Sequence, residues 1–169
     1  GQASGLRETE AGALRGLGLV SEALGDYDQA RAQYEQALRI YREIGDVKGE
    51  GRALNDLGVL SYNQNDLGQA RTYYETALRL KHETGDRRGE STVLHNLANI
   101  HHQQGDYATA RVRFEEALRL CHETSDAEGE AAALLGLGTT AMYTGDWQGA
   151  RATLDAALRI TRQIGDRHG

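Results

Sequence analysis

The sequence predicts an all-α protein, a solenoid of four stacked helix-turn-helix units. Three observations predict it. Short polar dipeptides close four segments at a constant interval of 40 residues: Gly45-Asp46, Gly85-Asp86, Ser125-Asp126 and Gly165-Asp166. A second set, Gly25-Asp26, Asn65-Asp66, Gly105-Asp106 and Gly145-Asp146, keeps the same interval and divides every period into two elements. The chain also has no proline, so only glycine and local caps interrupt its helices.

The first seven residues, opening GQASG, read as a linker or a remnant of cloning. The repeat array then spans 8–169, with units at about 8–45, 46–85, 86–125 and 126–165. The second helix of the first unit places Ala30, Tyr34, Ala37, Leu38 and Tyr41 at spacings of three and four, one apolar stripe. In the first helix of the second unit, Leu54, Leu57, Gly58 and Ser61 do the same. Each helix is expected to run about 16 to 18 residues, roughly 25 Å. At the corners, Gly or Asn suits the left-handed residue that ends a helix. The Asp that follows accepts from the free N–H groups of the next helix, and Asp66 to Gln69 has the spacing of a capping box. Ser125 takes a corner that elsewhere holds Gly or Asn, at a modest strain cost. One hairpin cannot cover its own stripe, whereas stacked hairpins can.

Composition narrows the function. The formal net charge is −6, and the basic residues are interleaved with Glu and Asp, as on solvated helix faces. That balance argues against nucleic acid, which requires clustered Lys and Arg. No apolar run reaches membrane-spanning length, and the N-terminus does not have the form of a signal peptide. Cys121 is the sole cysteine. It allows no internal disulfide and no Cys-based zinc site, and a cytoplasmic location is expected. The absent initiator Met fits a piece of a longer protein.

The pattern Leu-x-x-Leu-Gly-x-x-(small or aromatic), followed by Ala, an aromatic and Ala, resembles the tetratricopeptide repeat (TPR). Its copies are Leu14, Leu17, Gly18, Ser21, Ala30, Tyr34, Ala37; then Leu54, Leu57, Gly58, Ser61, Ala70, Tyr74, Ala77; then Leu94, Leu97, Ala98, His101, Ala110, Phe114, Ala117; and Leu134, Leu137, Gly138, Ala141, Ala150, Leu154, Ala157. The resemblance covers about residues 8 to 165 and implies a right-handed α-solenoid. It also implies that Gly18, Gly58, Ala98 and Gly138 face Ala30, Ala70, Ala110 and Ala150 at close helix approaches. The unit departs from the usual 34 residues ending in Pro; Arg42, His82, His122 and Arg162 stand in the Pro-like region, so the second helix runs about a turn further. Units of this length are similar to those of spindle-orientation adaptors, kinesin light chains, and bacterial signalling ATPases and regulators.

The resemblance further implies a concave groove lined by the first helices. It selects Arg15, Leu19 and Glu22; Asn55, Val59 and Tyr62; His95, Asn99 and His102; and Leu135, Thr139 and Met142. These positions differ between units while the packing positions agree. Leu19 and Val59 stand where a carboxylate clamp would carry Asn, which disfavours an acidic C-terminal tail as ligand.

The remaining side chains read as structural, and His95 and His102 as polar groove residues rather than metal ligands. His95 and His102 are seven apart, poorly spaced for one ion, and His101 fills a packing slot, so no metal is expected. His82 and His122 sit at helix C-termini, where the dipole favours a cation, and Glu50, Glu90 and Glu130 lie in first turns, where it favours an anion. Cys121 is expected to be incidental and partly buried, Trp147 to pack as Tyr27 and Tyr107 do, and Gly16 and Gly18 to serve helix packing. No catalytic constellation and no cofactor motif is present, and an enzyme is not expected. The expected function is a protein-interaction scaffold that holds a partner peptide or protein in the groove, within a larger signalling or regulatory protein. Two alternatives are a ligand-sensing domain and end-to-end self-association through the last helix, Asp146 to about Ile164, whose Leu154, Leu158 and Ile160 resemble a stripe that meets a neighbour.

Overall fold

The turns form where the polar dipeptides stand. Gly25, Gly45, Gly85, Gly105 and Gly145 all have positive φ, as do Asn65 (61°) and Ser125 (53°). The Asp that follows has two roles. Its N–H returns to the helix just ended, as from Asp26 to the Ser21 carbonyl at 2.9 Å, while the preceding Gly25 N–H reaches Glu22 at 2.9 Å. That pair of bonds satisfies two of the helix's orphan carbonyls. Its carboxylate then caps the helix that begins, as Asp46 accepts from the Gly49 N–H at 2.9 Å and Asp66 from Gln69 at 3.0 Å.

The structure, a computed structural model, describes the backbone of residues 2–168 and the side chains of residues 4–165. Within them the chain forms eight helices: α1 (Gln2–Ala23), α2 (Tyr27–Ile44), α3 (Val47–Asn63), α4 (Leu67–Glu83), α5 (Arg87–Gln103), α6 (Tyr107–Thr124), α7 (Ala127–Tyr143) and α8 (Trp147–His168). The chain divides into two compact units, Gly1–Gly85 and Asp86–Gly169. In the first, α1 pairs with α2, α3 with α4, and α2 lies against α3. In the second, α5 pairs with α6, α7 with α8, and α7 meets both α6 and α5.

One end expectation is corrected: Gly165, read as a turn, lies inside α8. Residues 2–7, read as a linker or cloning remnant, are helical and continue into α1. Nothing at these positions breaks a helix: without proline, a lone Gly costs only about 1 kcal/mol in a helix interior.

The packing glycines also act differently from expectation. A Cβ on Gly18 would overlap the Tyr34 ring, one on Gly58 the Tyr74 ring, and one on Gly138 would lie 2.6 Å from Leu154 Cγ. The small residue is thus a seat for the large side chain of its own hairpin. The third hairpin has Ala98 there, which already carries the excluded Cβ. Phe114 accordingly presses instead on Gly136 of the next hairpin, and Ala98, Ala110 and Phe114 form a buried cluster with Leu137 against it. A Cβ on Gly16 would meet no atom within 4 Å, so Gly16 takes no part in packing. Trp147 is 67 % exposed, not packed; Tyr107, at the same phase, is covered because Tyr143 stacks on it. Cys121 is fully buried, and burial raises its thiol pKa.

The repeated glutamates are held by more than the dipole. Glu50 accepts from Arg42 Nε at 2.8 Å and Glu130 lies 3.0 Å from His122 Nε2. Each pair ties the last turn of one hairpin to the first turn of the next, at the same phase. Glu90 meets Arg87 of its own helix at 3.0 Å.

Candidate functional site

The two units present the same set of positions with different chemistry. In the first unit, Arg15 of α1 reaches across to Asp56 of α3, which is 7 % exposed, in an ion pair. Burial pushes the Asp56 carboxyl up, and the adjacent Arg15 opposes that shift. The Tyr34 hydroxyl donates to Glu22 at 2.9 Å, and Asn63 Nδ2 donates to the other Glu22 oxygen at 2.9 Å. Burial first, then this bond, raises the Tyr34 pKa and keeps the hydroxyl a donor. Arg15 and Glu22, two expected groove residues, are therefore engaged by the protein itself. Of the other four in this unit, Leu19 is exposed, while Asn55, Val59 and Tyr62 are half-buried.

Eighty residues on, the internal partners are gone. His95 replaces Arg15, and Gly136 replaces Asp56. His102 replaces Glu22, and Phe114, without a hydroxyl, replaces Tyr34. His95 Nδ1 and His102 Nε2 are buried atoms with no hydrogen-bond partner. Buried polar atoms in native proteins are nearly always satisfied, so each orphan calls for a partner. Burial also lowers the His95 pKa, which favours the neutral ring.

Where the carboxylate is missing there is a cavity of about 230 Å³, lined by His95, Asn99, His102, Phe114, Ala132, Leu135, Gly136 and Thr139. Five of these are expected groove residues; Met142, the sixth in the second unit, is 43 % exposed and does not line it. The Phe114 ring forms one wall, edge-on to His95 at 5.2 Å between centroids. His102 is fixed edge-on to Tyr107 at 5.2 Å and to Tyr143 at 4.9 Å. The Thr139 hydroxyl donates to the Leu135 carbonyl at 2.8 Å, leaving its oxygen to accept. Among the described residues no Asp, Glu, Lys or Arg lines the cavity. Its volume falls below the roughly 300–1,000 Å³ of small-molecule pockets. It suits one apolar side chain flanked by hydrogen-bonding groups.

Asp56 and Gly136 lie on first helices at a phase the sequence reading does not assign to the groove, and Phe114 reads there only as the packing aromatic of its repeat. The signal was there: within the pair Arg15–Asp56, both members change eighty residues on. Two other histidines are placed simply. His101 is half-buried, with Nδ1 3.3 Å from Asp106, and His122 pairs with Glu130. Among the described residues no group of three His, Cys, Asp or Glu could hold a metal ion, and no helix is long and apolar enough to cross a membrane.

Comparisons with known proteins agree with this fold. Two tetratricopeptide repeat family models match, one at residues 9–83 and 50–123, the other at 101–166. No curated protein matches the chain. Among solved structures, BtubC (BKLC) from P. vanneervenii is similar at 24% identity and TM-score 0.81, over 92% of this chain and 64% of that one. Aspartyl phosphate phosphatase F from Bacillus subtilis is 14% identical with TM-score 0.89, over 95% and 42% of the two chains. The apo form of RapI is 13% identical with TM-score 0.84, over 93% and 44%. The chain thus spans less than two thirds of each of these structures, and at such identities the likeness concerns fold.

Proposed function

The chain belongs to the tetratricopeptide repeat family, and from that premise we propose that it holds a segment of a partner protein on the α5–α7 face of its second unit. Repeats of this family are generally protein–protein interaction modules, and typically non-catalytic. One observation carries the finer reading. The positions that close on each other in the first unit as Arg15–Asp56 and Glu22–Tyr34 stand open in the second, with two orphaned imidazole nitrogens beside a cavity.

The partner segment supplies what the repeat lacks. An apolar side chain enters beside Phe114, Leu135 and Gly136. Polar groups of the segment meet His95 Nδ1 and His102 Nε2, and Asn99 lies between them on the same face of α5, able to donate and accept at once. Because the lining is neutral, an acidic or basic side chain would be desolvated there without a counter-charge, which is costly. Leu19, Asn55, Val59 and Tyr62 of the first unit are a secondary contact surface in this reading, and Arg15 and Glu22 are structural. The module serves as one part of a larger cytoplasmic regulatory protein.

The experiment is a peptide-library selection on the chain, followed by calorimetric titration of the strongest binder. Asn99→Ala and Leu135→Arg are each expected to weaken binding about tenfold or more, since an unpaired buried polar group costs about 1–3 kcal/mol. Arg15→Ala is expected to leave affinity unchanged. Full affinity in both second-unit variants would place the binding surface elsewhere.

A further inference from the structure

A second, smaller cavity adjoins the one beside Phe114. It measures about 120 Å³ and is lined by Ser91, Ala117, Cys121 and Gly129, and it shares His95 and Ala132 with its larger neighbour. A lost filler again explains it. The residue matching Cys121 in the first unit is Tyr41, which is buried. A Cβ on Gly49 would overlap the Tyr41 ring, and one on Gly12 would lie 4.0 Å from its hydroxyl. Gly49 and Gly12 are the counterparts of Gly129 and Thr92, both of which line the small cavity. The Tyr41 ring thus occupies the space that Cys121 leaves open, as Asp56 and Arg15 occupy the space that Gly136 and His95 leave open.

The two cavities differ in what they admit. The Ser91 and Thr92 hydroxyls both donate to the Arg88 carbonyl, at 2.8 and 3.1 Å, so the small cavity holds no unused hydroxyl donor and suits an apolar group. A dry cavity of about 150 Å³ holds a benzene ring. At about 120 Å³ the space by Cys121 admits a group of one to three carbons. At about 230 Å³ the space by Phe114 admits a side chain as large as Leu or Phe.

Their spacing and the wall between them select the backbone of the occupant. On α5, α6 and α7 alike, the residues lining the two cavities are centred about five or six positions apart, or about 8 Å at 1.5 Å per residue. An extended chain presents residues i and i+2 on one face about 7 Å apart. A helix presents neighbours three or four residues apart, about 5–6 Å along its axis. Between the cavities stands His95, whose buried Nδ1 has no hydrogen-bond partner. An extended segment brings the free N–H and C=O of its middle residue to that wall and can satisfy either tautomer, whereas a helix has already bonded those groups internally. Resting on the α5–α7 reading above, we infer that the partner segment binds extended, with a large apolar side chain beside Phe114, a small apolar one two residues away beside Cys121, and the backbone between them bonded to His95 Nδ1.

Peptides selected from a random library on the 169-residue chain test this. They should share a large and a small apolar residue two positions apart. With Ala as the small residue, its replacement by Gly should weaken binding about fourfold, the effect of one buried methyl group. Cys121→Tyr restores the filler of the first unit; it should weaken the Ala peptide by at least that factor and make the change to Gly matter less. Cys121 is also the chain's only thiol. A peptide with a thiopyridyl-activated cysteine at the small position should transfer to Cys121, releasing thiopyridine, faster than peptides with that cysteine one position to either side, as read by mass spectrometry. Circular dichroism of Cys121→Tyr separates closure of the cavity from loss of fold, and the transfer experiment uses the unaltered chain. Apolar residues three or four apart, equal transfer from every position, or full affinity in Cys121→Tyr would overturn the extended register, even where binding still depends on Asn99 and Leu135. Binding that depends on neither Asn99 nor Leu135 would overturn the α5–α7 reading itself, and this inference with it.

Discussion

Gly18→Ala should destabilise the protein, whereas Gly16→Ala, two residues away in the same helix, should stabilise it. The second change adds a methyl group into open space and replaces a poor helix former, a gain of about 0.5–1 kcal/mol. The first places its Cβ in the Tyr34 ring, whose Cζ would lie at 3.0 Å and whose nearer atoms would overlap. Tyr34 is fully buried, so it can yield only by shifting its neighbours. The third hairpin shows the one accommodation this fold uses, in which Ala98 displaces Phe114 onto Gly136. That route is closed to Tyr34, because the position matching Gly136 is Asp56, already occupied by the ion pair with Arg15. Overpacking costs about 1–3 kcal/mol. Strain on the bond from Tyr34 to Glu22 adds up to about 1 kcal/mol, and the helix-propensity gain offsets about 1 kcal/mol. A net loss of up to about 3 kcal/mol follows. Urea unfolding followed by circular dichroism measures it, with unchanged m confirming that the same surface is exposed. Equal gains from both substitutions would refute the seat-and-ring account of how these hairpins close.

Ser125→Gly relieves a side chain held at φ 53° and should raise stability by about 0.5–1 kcal/mol in the same urea assay. Arg15→Ala leaves the Asp56 carboxylate buried without its ion-pair partner; with Arg15 itself 31 % exposed, the cost should be about 1–3 kcal/mol at neutral pH rather than the full penalty of a buried charge. His95, its pKa lowered by burial from the ordinary 6.5, stays neutral in the folded chain when the unfolded chain has bound a proton. Stability should therefore be complete above about pH 6.5 and fall as pH drops through that value toward the folded pKa, by at most about 1.4 kcal/mol per unit from this group. His95→Gln should flatten that part of a urea-midpoint series taken from about pH 5 to 7.

The fold was legible because packing repeats. Every hairpin needs the same small residues, the same corner and the same cap, so their spacing survives in the sequence. The ends were less legible, since a glycine such as Gly165 has one appearance whether it turns a chain or rides inside a helix. Trp147 misled for a related reason: Tyr107 is covered because Tyr143 stacks on it, whereas Trp147 stays exposed. The candidate site was half legible. Variable first-helix positions identified His95, Asn99, His102, Leu135 and Thr139, which line one cavity. Which unit is open depends on pairs. Arg15 looks like a ligand-binding residue until Asp56 is placed beside it, and His95, read as a groove residue like it, differs only because Gly136 leaves its Nδ1 without a partner.

The claim that this protein works through the open face of its second unit is tested most directly by nitrogen-15 spectra of the histidine rings, recorded with and without a library-selected peptide. Binding should shift His95 Nδ1 and His102 Nε2 and leave the ring of His122, paired to Glu130, unmoved. Tight binding with both rings unchanged would contradict the account.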